Sequence, residues 1–178
     1  MATKIPFDGE VGRQHWLDQE DAWMRETVRR CGFAVQAVFG ARCWGHPGCS
    51  CGQRRGTRPS IAYTVGLYGF GHPEVVVVGL CIDTAATVLN DLGERVRHGR
   101  SLTPGDILTF NCWPHRMHLV EFRDDGDVPV LTSAQRFYQR TRADPVPTLQ
   151  AVWVAPPPPA PLVSLPHQPR APYYGLDL

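Results

Sequence analysis

The chain has 178 residues, 43% hydrophobic and 20% charged, with a formal net charge of +1 at pH 7. Setting aside a Pro-rich C-terminal stretch leaves roughly 150 residues, enough for one domain whose core needs no disulfides. The near-zero charge excludes a protein drawn as a whole onto nucleic acid or an anionic membrane. Lys4 is the only lysine, which excludes a phosphate-loop or Schiff-base lysine anywhere further along the chain.

The N-terminal residues MATKIPFDGEVGRQHW lack the apolar core of a signal peptide. The longest apolar run, Val75–Ile82, is too short to cross a bilayer. Both readings point to the cytoplasm and to no membrane partner. Thiols stay reduced there, so the six cysteines are expected free or metal-bound. Residues 15–31 predict a helix: Asp18 or a neighbour caps it, acids fill its first turn, and Arg29 and Arg30 suit its last turn. Gly32 is its stop signal. Phe33–Phe39 reads as a strand. Residues 40–59 are rich in Gly, Cys and Arg and have no periodicity. A loop of about 20 residues inside a compact domain is uncommon and is usually functional or disordered.

Ile61–Leu67 reads as the next strand, followed by a Gly-rich turn. Glu74–Leu80 is nearly continuous valine, the pattern of a central strand buried on both faces. From Asp83 to Gly99 the apolar residues Ala86, Leu89, Leu92 and Val96 recur at helical spacing. Ile107–Phe110 and His115–Phe122 are two more strands. Thr132 or Ser133 caps a short helix through Arg142, and Thr148–Val154 is the last strand. Residues 155–178 form a Pro-rich tail that favours polyproline II and cannot enter a sheet interior. Strands adjacent in sequence with no helix between them imply an antiparallel or mixed sheet. The expected fold is therefore α+β: one domain over residues 1–154, with two to three helices and an inserted loop.

The inserted loop holds the sharpest chemistry. CWGHPGCSC, residues 43–51, places Cys43, His46, Cys49 and Cys51 at C-x2-H-x2-C-x-C spacing. Cysteine and histidine are the ligands zinc prefers, and four of them close a structural tetrahedron. The C-x-C half is less usual than C-x2-C. The alternative is an exposed thiol-rich insertion, in which unliganded thiols would be open to oxidation. Cys31 or His72 could replace Cys43 as the fourth ligand. Structural zinc contributes roughly 10–16 kcal/mol in finger peptides. Ordering backbone costs about 1–2 kcal/mol per residue, so zinc could order about ten residues around its ligands. A domain that folds without the metal, carrying a loop that needs it, suits a sensor.

Other groups have plainer readings beside their functional ones. Arg54, Arg55 and Arg58, with Arg42, flank the cysteines and could touch RNA phosphates locally; a solvated loop would look the same. Tyr63, His72 and Glu74 lie in YTVGL and GHPE and could line a ligand or acid–base site. A turn histidine with satisfied hydrogen bonds is the plainer account of His72. His115 and His118 stand three apart on a strand, so they face opposite sides and chelate poorly. Cys81 and Cys112 flank apolar strands and are expected in the core. No nucleophile elbow, HExxH, phosphate-loop or dinucleotide motif is present.

Tyr63-Thr64-Val65-Gly66-Leu67, Gly71-His72-Pro73-Glu74, Val78-Gly79-Leu80 and Leu89-Asn90-Asp91-Leu92 occur in that order. With Phe137-Tyr138 and Leu149-Gln150-Ala151-Val152-Trp153, they resemble the bacterial domain-of-unknown-function family 4262 over about residues 28–154. That resemblance implies a fold and no established activity. The Cys/His insertion and the Pro-rich tail depart from the family's usual pattern. A family domain carrying such an insertion resembles the protein-Y recruitment factors of mycobacteria, which serve zinc-dependent ribosome hibernation. The resemblance implies a non-enzymatic adaptor with zinc as cofactor. Its partners would be the small ribosomal subunit and a protein-Y type hibernation factor. Two other readings stand beside it: a small enzyme or ligand-binding domain using the YTVGL/GHPE region with a structural zinc, and an interaction module that binds partners through its Pro-rich tail.

Overall fold

The computed structural model describes residues 9–38, 59–111, 113–124, 126 and 129–154. The predicted Cys/His cluster, Arg42, Arg54, Arg55, Arg58, Cys112 and the tail lie outside the described residues, as do the side chains of residues 113–115.

Helix α1 spans Glu10–Cys31, five residues earlier than residues 15–31 predict. Its cap position is Gly9, and Asp18 sits inside the helix, where it accepts a hydrogen bond from Gln14 at 2.8 Å. Gly32 ends it in a left-handed conformation, its N–H bonded to the Val28 carbonyl. Strands β1 (Ala34–Val38), β2 (Ile61–Val65) and β3 (Glu74–Val78) follow, with a short 3-10 turn at Leu67–Phe70. Helix α2 is Ile82–Arg97. Strands β4 (Ile107–Phe110) and β5 (Trp113–Glu121), helix α3 (Thr132–Phe137) and strand β6 (Thr148–Val154) complete the order. The observed α3 stops at Phe137 rather than Arg142. Its cap position is Leu131, with no side-chain cap from Thr132 or Ser133.

The fold is α+β, as the adjacent strands imply. Six strands form one mixed sheet in the order β1-β2-β3-β6-β5-β4. All neighbours are antiparallel except β3 and β6, which are parallel. The valine-rich β3 lies inside the sheet, between β2 and β6, which explains its continuous apolar run. Alternation along the strands sorts the core onto two faces. Ala62, Val75, Val77, Leu149 and Ala151 pack with Leu89, Leu92 and Val96 of α2. Tyr63, Val65 and Val76 pack on the other face with Met24 of α1 and Ala134 of α3. Helix α2 buries Ala85, Val88, Leu89, Leu92 and Val96, with Ala86 only half-buried. Cys81 is not a core residue. It is half-buried at the cap position of α2, with its sulfur 2.9 Å from the Thr84 hydroxyl.

Residues 39–60 connect β1 to β2. These two strands pair in register from Ala34 opposite Val65 to Val38 opposite Ile61, and β1 is an edge of the sheet. The Cys/His loop is thus the connection of an edge hairpin.

Candidate functional site

Tyr63, His72 and Glu74 enter from β2, the turn before β3, and the first residue of β3. Glu74 lies on the same side of β3 as Val76, toward α1 and α3. It is 0% exposed. One carboxylate oxygen accepts the Gly66 N–H at 2.9 Å, the Tyr68 N–H at 3.1 Å and the Tyr138 hydroxyl. The other accepts the Thr64 hydroxyl at 2.6 Å. The Thr64 oxygen in turn accepts the Val75 N–H at 2.8 Å. A buried carboxylate costs free energy unless it is hydrogen-bonded, and this one has four donors.

The chain is shaped to deliver those donors. Gly66 has φ 130, and a Cβ there would stand 2.6 Å from the Gly32 carbonyl oxygen and the Phe33 Cα. Only glycine fits that close turn, which aims the Gly66 and Tyr68 N–H groups at Glu74. Tyr138 follows α3 and also accepts the Gly66 N–H at 2.7 Å. Burial first, and then the adjacent Glu74 carboxylate, push the Tyr138 hydroxyl well above its ordinary range. Tyr68 meets the Tyr138 ring edge-on at 5.3 Å, and Arg140 stacks over Tyr68 while donating to its hydroxyl.

His72 turns the other way. It is 5% exposed, and its Nε2 accepts the Leu102 N–H at 3.0 Å, which leaves Nδ1–H to donate to the Pro73 carbonyl. This is the turn histidine with satisfied bonds. Both ring nitrogens are engaged, so His72 is a poor fourth metal ligand. Tyr63 is 0% exposed, and its hydroxyl accepts the Ser133 N–H at 3.3 Å. Burial raises this phenol also. The three expected site residues therefore do not converge on one opening. Glu74 and Tyr63 knit β2, β3 and α3 together, and His72 ties the β3 entry to the segment after α2. Sequence reasoning missed Thr64, Tyr138 and Leu102 as the partners, although the YTVGL and Phe137-Tyr138 motifs contain the first two.

A second polar cluster holds α1 to α3. Arg136 bonds Glu20 and Asp21, each at 2.7 Å, and Gln36 of β1 donates to Glu20 at 2.8 Å. A cleft of about 500 Å3 opens between Phe122, Leu131, Val146 and Thr148, with Arg123 and Arg142 at its lining. Asp124 beside it is used internally, accepting the Val130 and Leu131 N–H groups. Among the described residues no three His, Cys, Asp or Glu side chains are placed to hold a metal ion. Cys31 is exposed at the end of α1, and no described helix is long and apolar enough to cross a membrane.

A family model described as a domain of unknown function (DUF4262) matches residues 27–157. The chain belongs to the DUF4262 family. No curated protein and no solved structure matches it. The DUF4262 match opens in the last turn of α1 and takes in all six strands, α2 and α3. Glu74 and its four donors all lie inside the DUF4262 region, whereas Glu20 and Asp21, the α1 partners of Arg136, precede it.

Proposed function

We propose that this DUF4262 chain is a non-enzymatic, zinc-responsive adaptor of the cytoplasm. Cys43, His46, Cys49 and Cys51 would hold the metal. By its resemblance to protein-Y recruitment factors, it would bring a hibernation factor to the small ribosomal subunit when zinc is limiting. Arg54, Arg55 and Arg58 would supply local contacts to ribosomal RNA. The observation that carries this reading is the position of the insertion. It joins the edge strand β1 to its neighbour β2, and their register closes fully from Ala34–Val65 to Val38–Ile61. A ligand bound there can reshape a surface while the sheet persists, and only unequal affinity for the two loop states shifts partner binding. The burial and internal bonding of Tyr63, His72 and Glu74 also favour an adaptor over an enzyme built on those residues.

Co-sedimentation of the chain with ribosomes from zinc-starved and zinc-replete cells tests this. The expected outcome is a zinc-dependent ribosomal fraction that Cys49→Ser makes insensitive to zinc. Equal sedimentation of wild type in both conditions contradicts it.

A further inference from the structure

The cleft of about 500 Å3 stands between two braced segments, the chain leaving β5 and the chain entering β6. On the first, Phe122 donates its N–H to the Thr148 carbonyl at 3.0 Å, and Asp124 accepts the Val130 and Leu131 N–H groups. On the second, the Val146 N–H donates to the Gln135 side chain at 3.3 Å, and the Pro147 carbonyl accepts the Glu74 N–H at 2.9 Å. Pro145 and Pro147 fix their own backbone and hold the residue before each extended. The opening is therefore built into the fold, and its volume suits a small organic molecule. Its lining is apolar where it is least exposed: Leu131 and Val146 are buried, with Phe122 half-buried beside them.

The polar groups of the lining are nearly all engaged within the chain. Both Asp124 oxygens face backbone N–H groups. The Thr148 hydroxyl donates to the Val146 carbonyl at 2.9 Å. Pro145 and Pro147 carry no N–H, and that of Val146 is taken. Two guanidinium groups remain. Arg123 and Arg142 are exposed at the lining, and among the described residues neither forms an ion pair. Arg142 gives one nitrogen to the Gly126 carbonyl and keeps further donors. Two arginines against one aspartate leave the lining one positive charge in excess. The planar fork of a guanidinium matches a carboxylate. An apolar floor beside such forks fits a monoanion whose aryl or branched alkyl body lies against Phe122, Leu131 and Val146.

We propose that this cleft binds a small monocarboxylate with an apolar body, its carboxylate held by Arg123 and Arg142. The inference is independent of the metal and of the loop between β1 and β2. Backbone N–H NMR of the full chain tests it, by titration with 3-phenylpropanoate at fixed ionic strength. Neutral 3-phenylpropanamide and inorganic phosphate are the comparison ligands. Asp125 and Asp127 lie outside the described residues, and the neutral ligand also reports whether they cancel the arginine charge. The expected result is saturable shifts at Phe122, Leu131, Val146 and Thr148 by about 10 mM, the range for a fragment of this size. Val75 and Leu89, on the α2 side, stay in place. The propanamide binds about tenfold more weakly than the acid. R123Q weakens binding of the acid about threefold and R123Q/R142Q about tenfold. Both arginines are exposed, so the variants keep the fold. No saturable shift in the wild type, equal binding of acid and propanamide, or unchanged affinity in R123Q/R142Q overturns the proposal. So does phosphate that shifts the same N–H groups as tightly, which would mark a contact with charge alone.

Discussion

Glu74 is the residue around which the turn after β2 is built. Two backbone N–H groups and two hydroxyls converge on it, from as close as Tyr68 and as far as Tyr138. Tyr138 carries a pH signature as a result. Its folded value is raised above the ordinary 10.0 by burial and by Glu74. The native state therefore holds this proton more tightly than the unfolded chain does. That contribution is complete below pH 10.0 and is lost as pH climbs past it. Tyr138→Phe should cost about 1.5–3 kcal/mol at neutral pH, because it removes the hydroxyl's hydrogen bond to the Glu74 carboxylate and leaves the Gly66 N–H with one acceptor fewer. It should also flatten the alkaline fall in stability by up to about 1.4 kcal/mol per pH unit. Urea unfolding at a series of pH values checks both, and parallel wild-type and variant curves above pH 10 would count against the assignment.

At the scale of elements, what could be read from sequence tracks how local the cause is. The bounds of β4 and β6 are those expected, and α2 buries Leu89, Leu92 and Val96 as its periodicity implies. The start of α1 was not legible, because the helix is mostly polar and buries only Gly12 and Met24. Its attachment depends on Arg136, a residue 115 positions from Asp21. The end of α3 was hidden in the same way: Tyr138 is drawn to Glu74 and Gln139 takes φ 54. Gly93 inside α2 reads as a helix weakness and has a packing cause, since a Cβ there would lie 2.4 Å from the Phe33 ring. Gly93→Ala gains up to about 1 kcal/mol in helix propensity but overpacks that contact at about 1–3 kcal/mol. Thermal unfolding should show net destabilisation that is relieved when Phe33→Leu is added. A stabilised single variant would mean that α2 and the Phe33 ring are further apart than described.

Across the whole molecule, the sheet order could not be read from the chain. β6 inserts between β3 and β5, parallel to a strand about seventy residues earlier, and no local pattern encodes such a pairing. The α+β class was legible because it follows from counting strands without helices between them. The position of the Cys/His insertion was legible too, but its setting was not. It springs from an edge hairpin, and β2 is joined to β3 by its own ladder. Metal in the loop should therefore act on the loop and leave the sheet intact. Hydrogen exchange of the full chain with and without stoichiometric zinc measures this directly. The expected result is protection gained within residues 39–58, with β2, β3 and β6 amides unchanged. No protection in the loop, or zinc-dependent protection spread through β3 and β6, would contradict it.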